Sequence, residues 1–255
     1  MFTRPRIIPV LLIDDRDLVK TVRFSDSTYL GDPVNAVKIF NIKGVDELSV
    51  LDISATRRGA EPDFTFLEDI ASEAFMPLSY GGGVRSVEQV GRLFRMGYEK
   101  VVLNTALAEN PGLVTEAASL YGSQSVVASI DAKLVDGTYR CAVRDGGELL
   151  DASPVEMARK AEELGAGEIF LNSIDRDGTM SGYDTGLIRE VSDAVDVPVI
   201  ACGGAKGVAD LKDAIDNGHA HAAAGGSMFV YYGRLKAVLI QAPTEKELYE
   251  AGVYS

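Results

Sequence analysis

Asp131, in Ser129-Ile130-Asp131-Ala132-Lys133, is a carboxylate that follows the uncharged run Val126 to Ile130. A carboxyl delivered from so apolar a segment into a partly dry site has its pKa raised, and can then serve as a general acid or base near neutral pH. It could equally cap a hairpin or pair with Lys133. A second chemistry lies in two glycine turns, Ser79-Tyr80-Gly81-Gly82-Gly83-Val84-Arg85 and Ala201-Cys202-Gly203-Gly204-Ala205-Lys206. Each follows a short apolar run containing proline, Met76-Pro77-Leu78 or Val197-Pro198-Val199, and each leads into a helical pattern. Bare backbone at a helix N-terminus turns N–H groups and the positive end of a helix dipole toward an anion, above all a phosphate. One such turn alone is an ordinary strand-to-helix connection as readily as a binding site. A third cluster, Asp175, Arg176 and Asp177, either holds a ribose or an amine or is a solvated loop. His219 and His221 alternate as metal ligands can, but no third ligand lies nearby, so packing or surface roles are expected and no metal.

The elements that must position these residues recur along the chain. Ile7 to Ile13 reads as a strand buried on both faces, with Pro9 an irregularity inside it. A polar connection from Asp14 to Leu30 follows, longer than most and therefore read as a lid or binding loop, before Asp32-Pro33 opens a helix. Strand and helix then alternate: Glu47 to Ile53 with Asp63 to Ala74, Pro77 to Tyr80 with Ser86 to Met96, and Lys100 to Leu103 with Pro111 to Tyr121. Ser125 to Ile130 is followed by an inserted hairpin, signalled by Asp136-Gly137 and Asp145-Gly146-Gly147, and then by the helix Pro154 to Leu164. Glu168 to Leu171 pairs with Asp184 to Ala194, and Val199 to Ala201 with Val208 to Asp216. Ala220 to Ala224, a short helix opening at Gly226-Ser227 and a helix through Leu239 make the last unit. A tail from Thr244 to Ser255 adds an amphipathic turn or two, with Leu248 and Tyr249 against the body.

Eight such units in 255 residues is the arithmetic of an α/β fold of one kind, a single (βα)8 TIM barrel spanning 1–255. An offset of 121 relates Gly82 to Gly203, Gly97 to Gly218, Glu47 to Glu168 and Gly44 to Gly165, so the barrel is read as two half-barrels, about 1–122 and 123–255. The twin glycine turns then flank one mouth, completed by Asn104-Thr105 in the first half and Gly225-Gly226-Ser227 in the second. The strand ends that face the mouth are expected to be Leu12, Asp52, Ser79, Asn104, Asp131, Asn172-Ser173, Cys202 and Ala224. A net charge of −13 argues against nucleic acid or an anionic membrane as partner. Cys141 and Cys202 are too few and too far apart for a disulfide framework, and no export signal is seen, so a soluble cytoplasmic protein is expected.

The stretch Leu171-Asn172-Ser173-Ile174-Asp175-Arg176-Asp177-Gly178-Thr179-Met180-Ser181-Gly182-Tyr183-Asp184 is distinctive. With Arg6-Ile7-Ile8-Pro9, Gly31-Asp32-Pro33, Leu51-Asp52-Ile53, the triple glycine and Asp131-Ala132-Lys133, it resembles the cyclase subunit of imidazole glycerol phosphate synthase from about Arg6 to Leu235. The resemblance implies a barrel that receives ammonia through its axis from a separate glutaminase docked on the N-terminal face. It implies phosphate contacts at Gly82, Gly83, Asn104 and Thr105 on one side and at Gly203, Gly204, Gly226 and Ser227 on the other. It also implies catalysis by Asp131 and by Lys20 on a mobile first loop, substrate contacts at Asp52, Ser173 and Asp177, and no cofactor.

At the barrel bottom, Arg6, Glu47, Lys100 and Glu168 match the family's four-charge ammonia gate, although bottom-face charges can be structural ion pairs alone. Glu99 replaces an Asp of the docking face. The departures are at the mouth. Cys202 and Asn172 replace the usual Ser and Thr, and strand one ends at Leu12 where the family has a second catalytic Asp. Asp14 has the parity of Leu12 but lies about 6–7 Å further along. The strings Ile8-Pro9-Val10-Leu11-Leu12, Leu18-Val19-Lys20-Thr21-Val22 and Val34 to Asn41 look like a paralogous branch found with surface-polysaccharide genes. That branch implies amidation of a phosphorylated or nucleotide-linked sugar beside a glutaminase and a third, ATP-dependent amidotransferase. A histidine-pathway cyclase and a silent scaffold that activates the glutaminase are the alternatives.

Overall fold

Every second side chain of the apolar runs faces the interior of a closed sheet, and the others face a surrounding layer of helices. This is seen in a computed structural model that describes residues 4–254, so Ser255 and residues 1–3 of the expected domain lie outside the described residues. The first barrel strand, β1 (Arg6–Asp14), continues into an antiparallel hairpin, β2 (Asp17–Val22) and β3 (Ser25–Gly31), ahead of α1 (Pro33–Lys43). β4 (Leu48–Asp52) is followed by α2 (Ala55–Arg58) and α3 (Phe64–Ser72), and β5 (Leu78–Gly81) by α4 (Val87–Arg95). β6 (Lys100–Leu103) leads to α5 (Thr105–Glu109) and α6 (Gly112–Tyr121). β7 (Val126–Val135) runs into a second insertion, β8 (Thr138–Val143) and β9 (Glu148–Leu149), before α7 (Pro154–Glu163). β10 (Glu168–Ser173) precedes α8 (Thr185–Ser192), β11 (Val199–Cys202) precedes α9 (Val208–Asp216), and β12 (Ala222–Gly225) precedes α10 (Ser227–Val230). β13 (Tyr231–Tyr232), β14 (Ala237–Val238) and α11 (Glu245–Glu250) follow.

The parallel strands pair in the order β1, β4, β5, β6, β7, β10, β11, β12, and β12 returns to β1. The protein is a (βα)8 barrel. Alternation divides its apolar residues into two cores. Ile7, Leu11 and Ile13 of β1 face the helices, among Phe40, Leu67, Ile70 and Phe229. Ile8 and Val10 face the lumen, with Val102, Val127, Phe170 and Ile200. Pro9 stands where the pairing of β1 passes from β12 to β4, so its missing N–H falls at the hand-over. Helices start where the sequence supplies caps: Asp32 accepts from the Val34 N–H ahead of Pro33, and Ser86 and Ser153 each form a reciprocal capping box.

Three expectations are corrected here. No helix runs through Leu239: Gly233 and Lys236, both at positive φ, turn the chain into the β13–β14 hairpin instead. Tyr249 is 49% exposed and packs edge-to-face on Tyr254 at 5.6 Å between ring centroids, so of the two expected residues Leu248 alone is buried against the body, joined by Val253 and Tyr254. Ser79 pairs with Lys100 and Ser49, which puts it near the strand starts and leaves Gly81 at the mouth end of β5.

The polar connection after β1 is a folded hairpin, and it has a twin. β2 and β8 both follow the first barrel strand of their half, with Asp14 facing Asp17 in one and Val135 facing Thr138 in the other. Their tips both turn through left-handed residues, Arg23 and Phe24 at φ 53° and 59° in one, and Arg144, Asp145 and Gly146 at φ 55°, 59° and 76° in the other.

Candidate active site at the barrel mouth

β7 places Asp131 by simple alternation: Val127, Ser129 and Asp131 point inward in turn, and the last reaches a cavity of about 130 Å³ at the C-terminal ends of the strands. The floor of that cavity is Val10, Leu12, Leu51, Val102 and Phe170, with no polar atom among their side chains. Asp131 is 8% exposed. Burial in this floor, and then the negative charges of Asp145 and Asp177, push its carboxyl up to about 8. At neutral pH it therefore carries its proton and can give it away.

The first glycine turn opens directly onto the cavity. Gly82, Gly83, Asn104 and Thr105 all line it. A Cβ on Gly82, at φ 129°, would stand 2.5 Å from the Asp52 carbonyl oxygen, so only glycine lets the backbone lie this close. The Asn104 side-chain amide donates to the carbonyls of Ser129 and Ala142, and the Thr105 hydroxyl accepts from the Arg144 N–H at 3.1 Å. These two side chains are thus engaged in shaping the wall of the cradle. Asp52 also lines the cavity, but its Oδ1 accepts from the Ser54 N–H and hydroxyl and the Ala55 N–H, each at 2.9 Å, and so caps the turn into α2.

The second glycine turn is covered. Of its four expected anion contacts only Gly226 lines the cavity, and the Lys20 side chain lies across it. Lys20, 4% exposed, donates from Nζ to both Asp177 carboxylate oxygens, at 3.0 and 3.2 Å, and to the Thr21 carbonyl. The Arg23 N–H reaches the Asp177 carbonyl at 2.9 Å, so the β2–β3 hairpin is fastened down over this half of the mouth. Gly203 and Gly204 sit against Ser173 and Gly182 outside the cavity. The Ser227 hydroxyl, at the start of α10, is buried without a hydrogen-bond partner, as is that of Ser173. Ser173 takes the outward parity of β10, beside Ala132, and its side chain does not reach the mouth.

At the other end of the barrel the four charges Arg6, Glu47, Lys100 and Glu168 close into a ring. Arg6 binds Glu47 at 2.6 Å and also Glu168, and Lys100 binds both glutamates at 2.9 Å. Between ring and mouth runs the apolar lumen, in which the Ser49 hydroxyl has no partner. The two histidines lie elsewhere. A ring nitrogen of His219 is 2.6 Å from Asp193, and Nδ1 of His221 accepts the Val199 N–H. Among the described residues no three His, Cys, Asp or Glu side chains are grouped to hold a metal, and no helix is long and apolar enough to cross a membrane.

The sequence model of the family described as Histidine biosynthesis protein matches residues 6–236. The chain belongs to that family. It is similar to chains provisionally named as subunit HisF of imidazole glycerol phosphate synthase. One from Pseudomonas aeruginosa, named hisF2, is 47% identical over 96% of this chain and 98% of its own length. One from Leptospira interrogans is 46% identical over 96% and 97%, and one from Vibrio vulnificus, named hisF3, is 45% identical over 96% and 95%. As a HisF-type barrel the chain thus keeps the family's architecture over nearly its whole length.

Asn172, expected at the mouth together with Ser173, lines the cavity next to Asp131 in register, as its parity with Phe170 implies. Two mouth residues of this family member were not singled out from the sequence. Phe24 and Asp145 arrive from the two hairpin tips, and both line the cavity. In the sequence Asp145 reads only as a turn residue before Gly146-Gly147. Asp14 lies outside the cavity, facing Asp17 at the foot of the first hairpin.

Proposed function

We propose that the protein is the ammonia-accepting barrel of a glutamine-dependent amidotransferase. A glutaminase subunit docks on the N-terminal face and releases ammonia at the Arg6–Glu47–Lys100–Glu168 ring. The ammonia crosses the apolar lumen as a neutral molecule, since a charged ammonium ion in that lining would carry a large desolvation cost. At the mouth it adds to a phosphorylated or nucleotide-linked sugar whose phosphate is held by Gly82 and Gly83, with Gly226 and Ser227 supplying a second anion contact when the first hairpin lifts. The observation that carries this reading is the pairing of a saturated charge ring at one end of an apolar lumen with a buried carboxyl, Asp131, at the other.

The end of β1 selects among substrates. Leu12 has no proton to offer, and losing one general acid or base costs on the order of 10²–10⁴-fold in rate. We therefore assign the barrel to sugar amidation in surface-polysaccharide synthesis, in the cytoplasm and with a third, ATP-dependent protein. The names of the similar chains favour a second reading, formation of imidazole glycerol phosphate and an aminoimidazole carboxamide ribotide in histidine biosynthesis. Rescue of a histidine auxotroph that lacks the cyclase decides between them. Growth on minimal medium sinks the sugar reading. No growth, together with glutaminase stimulation and ammonium-dependent turnover of a sugar phosphate, supports it, whereas stimulation without any turnover points to a scaffold.

A further inference from the structure

Asp145 is the one mouth carboxylate delivered by a hairpin tip. Its twin position on the other hairpin is Phe24, and the two tips meet over the cavity, where a Cβ on Gly146 would touch the Phe24 ring at 3.1 Å. The turn itself asks only for a residue that tolerates positive φ, which Asn meets as well as Asp. The inward carboxylate is therefore not explained by the turn. Its side chain is 14% exposed, and its ion pair to Arg57 Nε, at 3.4 Å, is loose. Charged groups face it from each neighbouring element: Arg57 on α2, Asp14 at the end of β1, Asp177 after β10 and Asp131 on β7. Lys20 also lines the cavity but is committed to Asp177.

We propose that Asp145 is a second catalytic carboxyl of the mouth, the base that works against the acid Asp131 in place of the carboxylate that β1 lacks at Leu12. The proposal rests on the ammonia-addition reading above. Burial, eased by Arg57 and reinforced by Asp14 and Asp177, raises Asp145 to about 6, while Asp131 stands at about 8. Two carboxyls held apart in this way give a base and an acid at one pH. When ammonia adds to the carbonyl carbon of an open-chain sugar phosphate, the phosphorylated class of that reading, the nitrogen lone pair forms the C–N bond and the C=O π pair moves to oxygen. Asp131 gives its proton to that oxygen and Asp145 takes one from nitrogen, leaving a neutral carbinolamine. Water at the open mouth returns the proton from Asp145 to Asp131.

The test is Asp145→Asn in the full-length protein, a change that keeps the turn and removes the base. With ammonium chloride and ribulose 5-phosphate as probes, wild type should show a bell-shaped rate profile with limbs near pH 6 and pH 8. The variant should lose 10²–10⁴-fold in rate together with the acid limb. Full turnover with the acid limb intact overturns the proposal. Should wild type turn over nothing, the ammonia-addition reading fails, and carboxyl-carbon NMR titration still decides the pairing. A resonance lost in Asp145→Asn with its midpoint near 6, together with a fall in the Asp131 midpoint from near 8 in the same variant, supports the pair. An Asp145 midpoint in the ordinary carboxylate range, with that of Asp131 unmoved by Asp145→Asn, overturns it. A single cooperative thermal transition in Asp145→Asn, as in wild type, establishes that the comparison is between folded proteins.

Discussion

The two ends of this barrel use the same kinds of side chain to opposite effect. At the N-terminal end two cations and two anions meet in a ring in which each charge has two partners of opposite sign. At the C-terminal end four aspartates, Asp52, Asp131, Asp145 and Asp177, share a cavity with one lysine that serves only Asp177. Charge balance leaves the first end neutral and closed on itself, and charge excess makes the second a place where protons are held against their ordinary affinity. What separates the two is the register of partners along each strand, since Arg6 and Leu12 belong to one strand and Glu168 and Asn172 to another.

Breaking the mouth should cost most. Asp131→Asn is expected to lower ammonium-dependent turnover on the order of 10²–10⁴-fold, measured as kcat at saturating ammonium. At the ring, Glu168→Ala leaves Arg6 and Lys100 each short of a partner in a half-dry site. It should destabilise the fold by about 3–5 kcal/mol in urea unfolding.

Stability should respond with opposite signs at the two ends. Asp131 has a folded pKa above its unfolded one, so between the ordinary carboxylate range and about 8 the folded chain holds a proton that the unfolded chain releases. Stability therefore falls as pH rises through that window. Asp131→Asn should flatten this slope and raise the thermal midpoint at pH 7.5, while Glu168→Ala lowers it. Smaller effects should come from the glycine cradle and the tail. Gly82→Ala meets both a positive φ and the Asp52 carbonyl, and should cost more than about 1 kcal/mol while weakening inorganic phosphate binding by calorimetry. Thr244→Ala, which removes the N-cap of α11 far from either chemistry, should cost about 1 kcal/mol and leave turnover unchanged.

The barrel was legible because alternation, proline and glycine recur with a fixed period, and because Gly44, Gly82 and Gly97 each have a partner one half-barrel later. The bottom ring was legible because Arg6, Lys100 and Glu168 begin their strands and Glu47 immediately precedes β4. What stayed hidden depended on contacts between distant segments. Lys20 reads as a residue of a mobile loop, yet its loop is a hairpin whose register with β1 only the fold reveals. Ser173 and Asn172 differ only in parity. Asp145 was masked by its own turn chemistry, because a residue before two glycines satisfies a local explanation before any distant one is sought. The segment through Leu239 was misread for a related reason, since Gly233 inside an apolar run is a weak helix breaker until its left-handed backbone is seen.

The fastening of the first hairpin sets a clock. Lys20 and Asp177 cannot part inside the mouth without leaving two bare charges in a half-dry place, so under the proposed function the hairpin is expected to lift as one body before the second anion cradle can bind or release a ligand. Such concerted opening belongs to the microsecond-to-millisecond range and is often slower than the bond-making it follows. The first turnover should then outrun those after it, and a burst of product equal to the number of barrels would be the signature of a lid that keeps time for the enzyme.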